Sequence, residues 1–117
     1  MNNSTPNETS VLARLDAALA ERLMADPAQS YTASLYAGGV SAINDKIGEE
    51  ANEVIEAAQG PDTDHLVHEI ADLWFHCMVL LQSKGLDSAA VQAELARRFG
   101  VSGHAEKAAR HQGGSSA

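Results

Sequence analysis

Five acidic side chains near the middle of the chain have the types and the spacing of a divalent-cation site. Glu50 and Glu53 lie one turn apart on a predicted helix, and Glu69 and Asp72 are spaced in the same way on the next one. Glu49 adjoins the first pair but points about 100° away from its neighbour. Acids at this spacing also occur on ordinary solvated helix faces, which is the commoner explanation of an isolated Glu-x-x-Glu. The placement of the two pairs relative to each other distinguishes these interpretations.

The two acidic pairs lie at equal distances from a predicted turn at Pro61. Glu53 precedes this proline by eight positions and Glu69 follows it by eight, while Glu50 and Asp72 lie eleven positions away on either side. In an antiparallel helical hairpin that rises about 1.5 Å per residue, each acid is therefore level with its counterpart. Carboxylates that face each other across helices about 8 to 10 Å apart repel unless cations lie between them. Oxygen ligands alone favour Mg²⁺, with Mn²⁺ as a substitute.

The elements that position these acids are predicted to be helices, because no alternating strand pattern of useful length occurs. Ser10 is the predicted N-cap of the first helix, and Gly100 ends the last. A bend at Gly38 and Gly39 follows a short apolar piece around Leu35. The apolar spacing predicts the longer helices over residues 11–24, 40–59, 64–84 and 86–99. The fold class is therefore an all-α bundle of four to five helices.

Length and composition indicate one domain that gains from a partner subunit. The chain has 117 residues, of which 44% are hydrophobic, and a chain of this size buries only about 65% of the surface of its unfolded form. Residues 73–81 are apolar almost all round, so this half helix needs cover on several faces, and we predict a homodimer. The polar ends predict disordered tails at residues 1–10 and 111–117, which leaves the domain at residues 11–110.

The charge balance and the single cysteine exclude several classes of protein. Eight Lys and Arg against sixteen Asp and Glu give a net charge of −8, which argues against a binder of duplex DNA or RNA. An acidic protein that handles phosphates needs cations as intermediaries. The apolar run is too short for a membrane span. Cys77 is the only cysteine, so no internal disulfide forms; with no signal-like start, this predicts a cytoplasmic protein.

Two segments resemble the signature of a known enzyme superfamily. Residues 46–53, KIGEEANE, and residues 69–76, EIADLWFH, resemble the Glu-Glu-x-x-Glu and Glu-x-x-Asp motifs of the all-α, MazG-like nucleoside triphosphate pyrophosphatases. Ser30-Tyr31-Thr32 and the Lys-x-Gly-Glu-Glu run are most similar to the phosphoribosyl-ATP pyrophosphatase branch. The resemblance covers residues 11–110, which is nearly the whole chain.

This resemblance implies a Mg²⁺-dependent hydrolase of histidine biosynthesis. Its substrate would be the nucleotide 1-(5-phosphoribosyl)-ATP, which the second step of that pathway cleaves to 1-(5-phosphoribosyl)-AMP and pyrophosphate. Glu49 would orient water, and the metal ligands would be Glu50, Glu53, Glu69 and Asp72. Two alternatives stay open, a house-cleaning pyrophosphatase of the same superfamily and a non-enzymatic helical interaction protein.

Several other polar residues are candidates for binding the substrate, each with a structural alternative. Lys46 binds a phosphate or forms a salt bridge with Glu50. The remaining candidates bind phosphate or serve as helix caps and solvated helix ends; they are Ser30, Thr32, Lys107 and Arg110.

Three histidines precede or follow the acids on the second predicted helix of the hairpin. His76 follows Asp72 by four positions, so it is either a hydrogen-bond partner of a metal ligand or a satisfied core histidine. His65 and His68 are predicted to be surface residues.

Overall fold

The structure is a computed structural model that describes the backbone of residues 6–99 and the side chains of residues 11–99. Every regular element in this range is helical, which confirms the all-α prediction. No helix within it combines the length and the apolar character needed to cross a membrane. The elements are α1 (Pro6–Glu21), a 3₁₀ turn (Arg22–Met24), α2 (Tyr31–Ala57), α3 (Thr63–Ser83) and α4 (Ser88–Arg97).

Helix α1 begins earlier than its apolar spacing predicts. It starts at Pro6, so the prediction of Ser10 as its N-cap is wrong, and the helix includes residues 6–10. Proline is well suited to the first turn of a helix, where its fixed φ fits and its missing N–H would have no partner. Predictions that concern residues 1–5 and 100–117, including those for Lys107 and Arg110, lie outside the described residues.

Helix α2 is sharply bent at Gly39, which confirms the predicted bend. The side chain of Ser30 caps this helix by accepting a hydrogen bond from the backbone N–H of Ala33 at 3.1 Å. At Gly39, φ is 80° and ψ is −178°, a combination that is essentially restricted to glycine. No atom lies within 4 Å of the position that a Cβ would occupy there. The backbone conformation, and not crowding, therefore requires glycine.

Helices α2 and α3 form the predicted hairpin and share the largest interface between described elements. Helix α2 ends at Ala57, and α3 begins at Thr63 after Asp62, whose side chain accepts a hydrogen bond from the backbone N–H of His65 at 3.1 Å. Both boundaries lie within two residues of those predicted. The turn is therefore centred close to Pro61, as the equal spacing of the acidic pairs requires.

The core lies between α1, both parts of α2, and α3. Ile43 and Val79 are completely buried and face each other's helices at its centre. Removing one such side chain from water contributes about 1.5 to 3 kcal/mol. The residues of this cluster are Leu19, Leu35, Ile43, Met78 and Val79. Because they join both helices of the hairpin, they fix the position of one helix relative to the other.

Helix α4 is joined to α1 by a carboxylate. Asp16 accepts hydrogen bonds from the backbone N–H of Ser88 at 3.0 Å and from its hydroxyl at 2.6 Å, and the side chain of Gln92 donates to that hydroxyl. Helix α4 spans Ser88–Arg97, so the predicted helix over 86–99 is two residues too long at each end. Asp87 is the N-cap, and the backbone N–H of Leu86 still bonds to the end of α3.

Candidate metal centre

Three carboxylates of the α2–α3 hairpin converge on one point. Glu50 and Glu53 of α2 and Glu69 of α3 each present a carboxylate oxygen, and these oxygens lie within 4.8 Å of one another. The first two follow the bend at Gly39 by three and four helical turns, while the third lies two turns inside α3. Glu53 and Glu69, which the equal spacing predicts to be level with each other, are thus brought together, whereas Asp72, the predicted counterpart of Glu50, does not belong to this group.

A second group of ligand atoms shares one of these carboxylates. His68, Glu69 and Asp72 each offer an atom within 4.8 Å of the other two, and the Nε2 of His68 lies 3.4 Å from an oxygen of Asp72. The four predicted acids thus form two overlapping groups that meet at Glu69. His68 was predicted to be an ordinary surface residue. It is indeed exposed, but its position four residues before Asp72 on α3 is the signal that could have placed it here.

Glu69 is the buried member of both groups. Glu69 is only 6% exposed, and within residues 11–99 no hydrogen-bond donor contacts its carboxylate. Among these residues, the nearest basic atom is Nδ1 of His65 at 3.7 Å, which is beyond hydrogen-bond length. Burying an ionised carboxylate without donors is strongly unfavourable. A positive charge beside Glu69 would offset this cost.

The carboxylates also repel one another. The pKa of Glu53 is raised above its ordinary value, first by the negative charge of Glu69, then by partial desolvation, and then by the charge of Glu50. A raised carboxyl pKa shows that the ionised form is disfavoured where it stands. A divalent cation between these oxygens would reverse that effect, because it favours the ionised form.

Lys46 and Glu49 form a pair at the edge of this cluster. The Nζ of Lys46 donates to Oε1 of Glu49 at 3.1 Å, so the expectation that its salt-bridge partner is Glu50 is wrong. Residues three apart on a helix are neighbours just as residues four apart are. This hydrogen bond raises the pKa of Lys46, and the phenol of Tyr31 acts in the same direction. Glu49 is thereby held on the outer side of the hairpin, as its direction along the helix predicts.

His76 supports the site through the backbone. It is 5% exposed, with Nδ1 at 2.8 Å from the carbonyl oxygen of Asp72 and Nε2 at 2.8 Å from the hydroxyl of Tyr31. A carbonyl only accepts, so Nδ1 carries a proton, and in the Nδ1–H tautomer Nε2 accepts from the Tyr31 hydroxyl. His76 is thus a satisfied core histidine whose partner at Asp72 is the main chain rather than the carboxylate.

Tyr31 lies near the site, although the sequence singled it out only within the Ser30-Tyr31-Thr32 motif and not as a site residue. Its ring meets that of His76 edge to face with centroids 5.9 Å apart, although it belongs to the first turn of α2. The bend at Gly39 makes this contact possible, because it folds the start of α2 back towards α3. Of the neighbouring candidates, Ser30 serves as a helix cap and Thr32 is buried. Their binding of substrate stays a prediction.

Comparisons with known proteins agree on one family. The sequence model of the family described as phosphoribosyl-ATP pyrophosphohydrolase matches residues 12–99. The chain is similar to the phosphoribosyl-ATP pyrophosphatase of Novosphingobium aromaticivorans, with 54% identity over 86% of this chain and 94% of the relative. It is 52% identical to that of Methylococcus capsulatus, over 88% of this chain and 98% of the relative. For the enzyme of an Azoarcus species, the identity is 55% over 86% and 94%.

Proposed function

The chain belongs to the phosphoribosyl-ATP pyrophosphohydrolase family, and from this premise we propose that its reaction depends on a divalent cation held by the acidic hairpin. The enzyme hydrolyses 1-(5-phosphoribosyl)-ATP to 1-(5-phosphoribosyl)-AMP and pyrophosphate in histidine biosynthesis. Family membership therefore favours this substrate over both alternatives, the house-cleaning activity and the non-enzymatic role. The observation that supports the cation is the buried Glu69 carboxylate, which faces two other carboxylates and has no hydrogen-bond donor within residues 11–99.

The residues present fit a hard divalent cation. The donors that converge are carboxylate oxygens, which suit Mg²⁺ and also accept Mn²⁺. We assign the role of ligands to Glu50, Glu53, Glu69 and Asp72. When bound, Mg²⁺ neutralises phosphate oxygens of the substrate and the charge that develops on the departing pyrophosphate.

Other residues of the chain prepare this site. Burial holds the Glu69 side chain in one orientation, and the hydrogen bond from His76 fixes the backbone at Asp72. Lys46 supplies a positive charge beside the carboxylates, so we propose that it contacts a phosphate of the substrate. Glu49, which Lys46 holds at the edge of the cluster, is in our proposal the residue that orients the attacking water. Ser30, Thr32, Lys107 and Arg110 remain proposed contacts to the rest of the substrate.

Removal and return of the cation tests this proposal. We expect an excess of chelator to abolish hydrolysis of phosphoribosyl-ATP and Mg²⁺ to restore it, with Mn²⁺ as a partial substitute. Calorimetric titration of the native chain should show Mg²⁺ binding that Glu69→Gln removes. Glu56→Gln is the matched control, because Glu56 is an exposed acid of α2 outside both ligand groups. Full activity in chelator, or unchanged binding by Glu69→Gln, would contradict the proposal.

We also propose that a second copy of the chain covers an apolar pocket of about 240 Å³ between α1, α3 and α4. Leu12 and Met78 line its inner side, while Trp74 and Leu95 are 59% and 52% exposed at its rim. Apolar side chains exposed together in this way are typical of subunit interfaces. Light scattering should give the mass of a homodimer, and Trp74→Glu should give a monomer. A monomeric native chain would contradict the proposed homodimer.

We further propose that the enzyme acts in the cytoplasm, because its substrate is a nucleotide.

A further inference from the structure

The two ligand groups of the hairpin differ in chemistry. Glu50, Glu53 and Glu69 offer oxygen atoms only, whereas the group of His68, Glu69 and Asp72 includes an imidazole nitrogen. Glu69 belongs to both groups, and a carboxylate has two oxygens with which it can bind two ions at once. The hairpin therefore presents two overlapping groups of ligand atoms whose chemistry suits different cations.

We propose that His68, Glu69 and Asp72 form a second cation position that selects a first-row transition ion over Mg²⁺, beside the oxygen-only position. The inference rests on the proposed function, because the two positions share Glu69. Imidazole is a good ligand for Co²⁺ and Zn²⁺ and a poor one for Mg²⁺, which prefers oxygen and keeps several waters. Three protein ligands with nitrogen and carboxylate donors also leave a coordination position open to water or substrate.

The placement of the three residues on α3 suits a shared ion. His68 and Asp72 are four positions apart and lie over each other on one face of the helix, with their side-chain atoms 3.4 Å apart. His68 is 68% exposed at its side chain, so solvent reaches the nitrogen and an ion has an open path to it. Glu69 lies on the side of this pair that faces α2, and its carboxylate is the third ligand of the position.

The burial of Glu69 also favours an ion at this place. The Glu69 side chain is 8% exposed, its carboxylate has no hydrogen-bond donor within residues 11–99, and it reaches both groups. One cation among the α2 carboxylates relieves the repulsion on that side of Glu69. Because a carboxylate has two oxygens, an ion held with His68 and Asp72 can bind the oxygen that the first cation leaves free.

The neighbouring histidine provides a matched control. His65 has its Nδ1 3.7 Å from the same carboxylate and is also exposed, but it is not part of either ligand group. Both histidines lie on the solvent side of α3, so His65→Asn and His68→Asn are expected to fold equally well. Circular dichroism of both variants verifies this.

The test uses the full-length, tag-free chain with Mn²⁺, Co²⁺ and Mg²⁺ as probes. We expect pulsed electron paramagnetic resonance of bound Mn²⁺ to show coupling to one histidine ¹⁴N, which His68→Asn abolishes and His65→Asn retains. The affinity for Co²⁺ should fall by about tenfold or more in His68→Asn, since losing even an outer partner of a ligand typically costs 10- to 100-fold. The affinity for Mg²⁺ should change by less than about twofold, because the oxygen-only position is intact.

The possible failures are distinguishable. If Mg²⁺ and Mn²⁺ bind but no nitrogen coupling appears, or if His68→Asn leaves it unchanged, the second position does not exist and the proposed function stands. If the coupling disappears in His65→Asn instead, the coordinating nitrogen belongs to His65, and the inference is overturned. If none of the ions binds to the native chain, the cation requirement fails, and the second position fails with it.

Discussion

Two carboxylates that lie between helices in this molecule differ in their hydrogen bonding. Asp16, between α1 and α4, accepts hydrogen bonds from both the N–H and the hydroxyl of Ser88. Glu69, between α3 and α2, is more deeply buried, has no donor within residues 11–99 and faces two further carboxylates. The first is completed by the protein itself. In our proposal a cation completes the second, and this difference separates an acid with a structural role from one that is available to bind a ligand.

The difference follows from what the opposing helix presents. Asp16 faces the first turn of α4, where unpaired backbone N–H groups and the positive end of the helix dipole favour a negative charge. Glu69 faces the middle of α2, where every backbone N–H is already used within the helix and the nearest side chains are acidic. A carboxylate is therefore stabilising at one junction and destabilising, without a cation, at the other.

The largest expected effect comes from neutralising the acid that we propose as a cation ligand. Glu69→Gln should lower kcat/KM for phosphoribosyl-ATP by about a thousandfold or more, because cation-assisted charge stabilisation supplies several kcal/mol. In cation-free buffer, the same variant should be as stable as the native chain or more so, since it removes a buried charge without donors. Steady-state kinetics and urea denaturation in chelator check both parts. A large loss of stability would show that Glu69 is structural after all.

Removing the structural acid should have the opposite signature. Asp16→Ala leaves the buried N–H and hydroxyl of Ser88 without their acceptor, and we expect a loss of about 1 to 3 kcal/mol in the free energy of unfolding. The affinity for Mg²⁺ should be unchanged. Asp45→Ala, at an exposed position of α2, is the control and should cost much less. Weakened Mg²⁺ binding in Asp16→Ala would show that the two regions are coupled.

The sequence predicts the acidic region much better than the α1–α4 junction. The convergence of Glu50, Glu53 and Glu69 follows from helical rise and from a turn at Pro61, which are local rules. Asp16 and Ser88 are 72 positions apart, and no periodicity relates them. Their contact depends on how α1 and α4 pack, which only the folded structure shows.

Some local features could also not be predicted from the sequence pattern. The polar residues around Pro6 contain no apolar stripe, so periodicity could not predict the first turn of α1. The sequence pattern does not distinguish an exposed histidine without a function from one, such as His68, that belongs to a ligand group. The positions of Glu69 and Asp72 beside it, which the fold determines, make the distinction.

Tyr31 allows a finer version of the comparison, because its bond to His76 is a structural contact inside the functional region. Tyr31→Phe leaves the buried Nε2 of His76 without a donor, and we expect a loss of about 0.5 to 1.5 kcal/mol in stability. Activity should fall by less than about tenfold, since the ligands remain in place. Tyr36→Phe is the matched control, because it removes the bond from the Tyr36 hydroxyl to the Leu19 carbonyl, away from the site. Equal kinetics in both variants would mean that His76 does not support Asp72.

The smallest effect is a pH dependence that distinguishes repelled from paired carboxyl groups. The pKa of Glu53 is raised, chiefly by the charge of Glu69. Between the ordinary value of 4.5 and this raised value, the folded chain binds more protons than the unfolded chain, so stability falls as pH rises through this range. Glu53→Gln should reduce this slope in chelator, and saturating Mg²⁺ should reduce it in the native chain. Urea denaturation at intervals of pH measures it.

Glu94 on α4 supplies the contrast, because hydrogen bonds from Arg97 and Arg98 lower its pKa to about 2. A lowered carboxyl pKa contributes stability that is fully present above the ordinary value of 4.5 and is lost as pH falls towards 2. Glu94→Gln should therefore leave the slope above pH 4.5 unchanged, whereas Glu53→Gln changes it there. If both substitutions altered that slope equally, the repulsion within the hairpin would not differ from the behaviour of an ordinary surface acid. The case for a cation between the carboxylates would then rest on the burial of Glu69 alone.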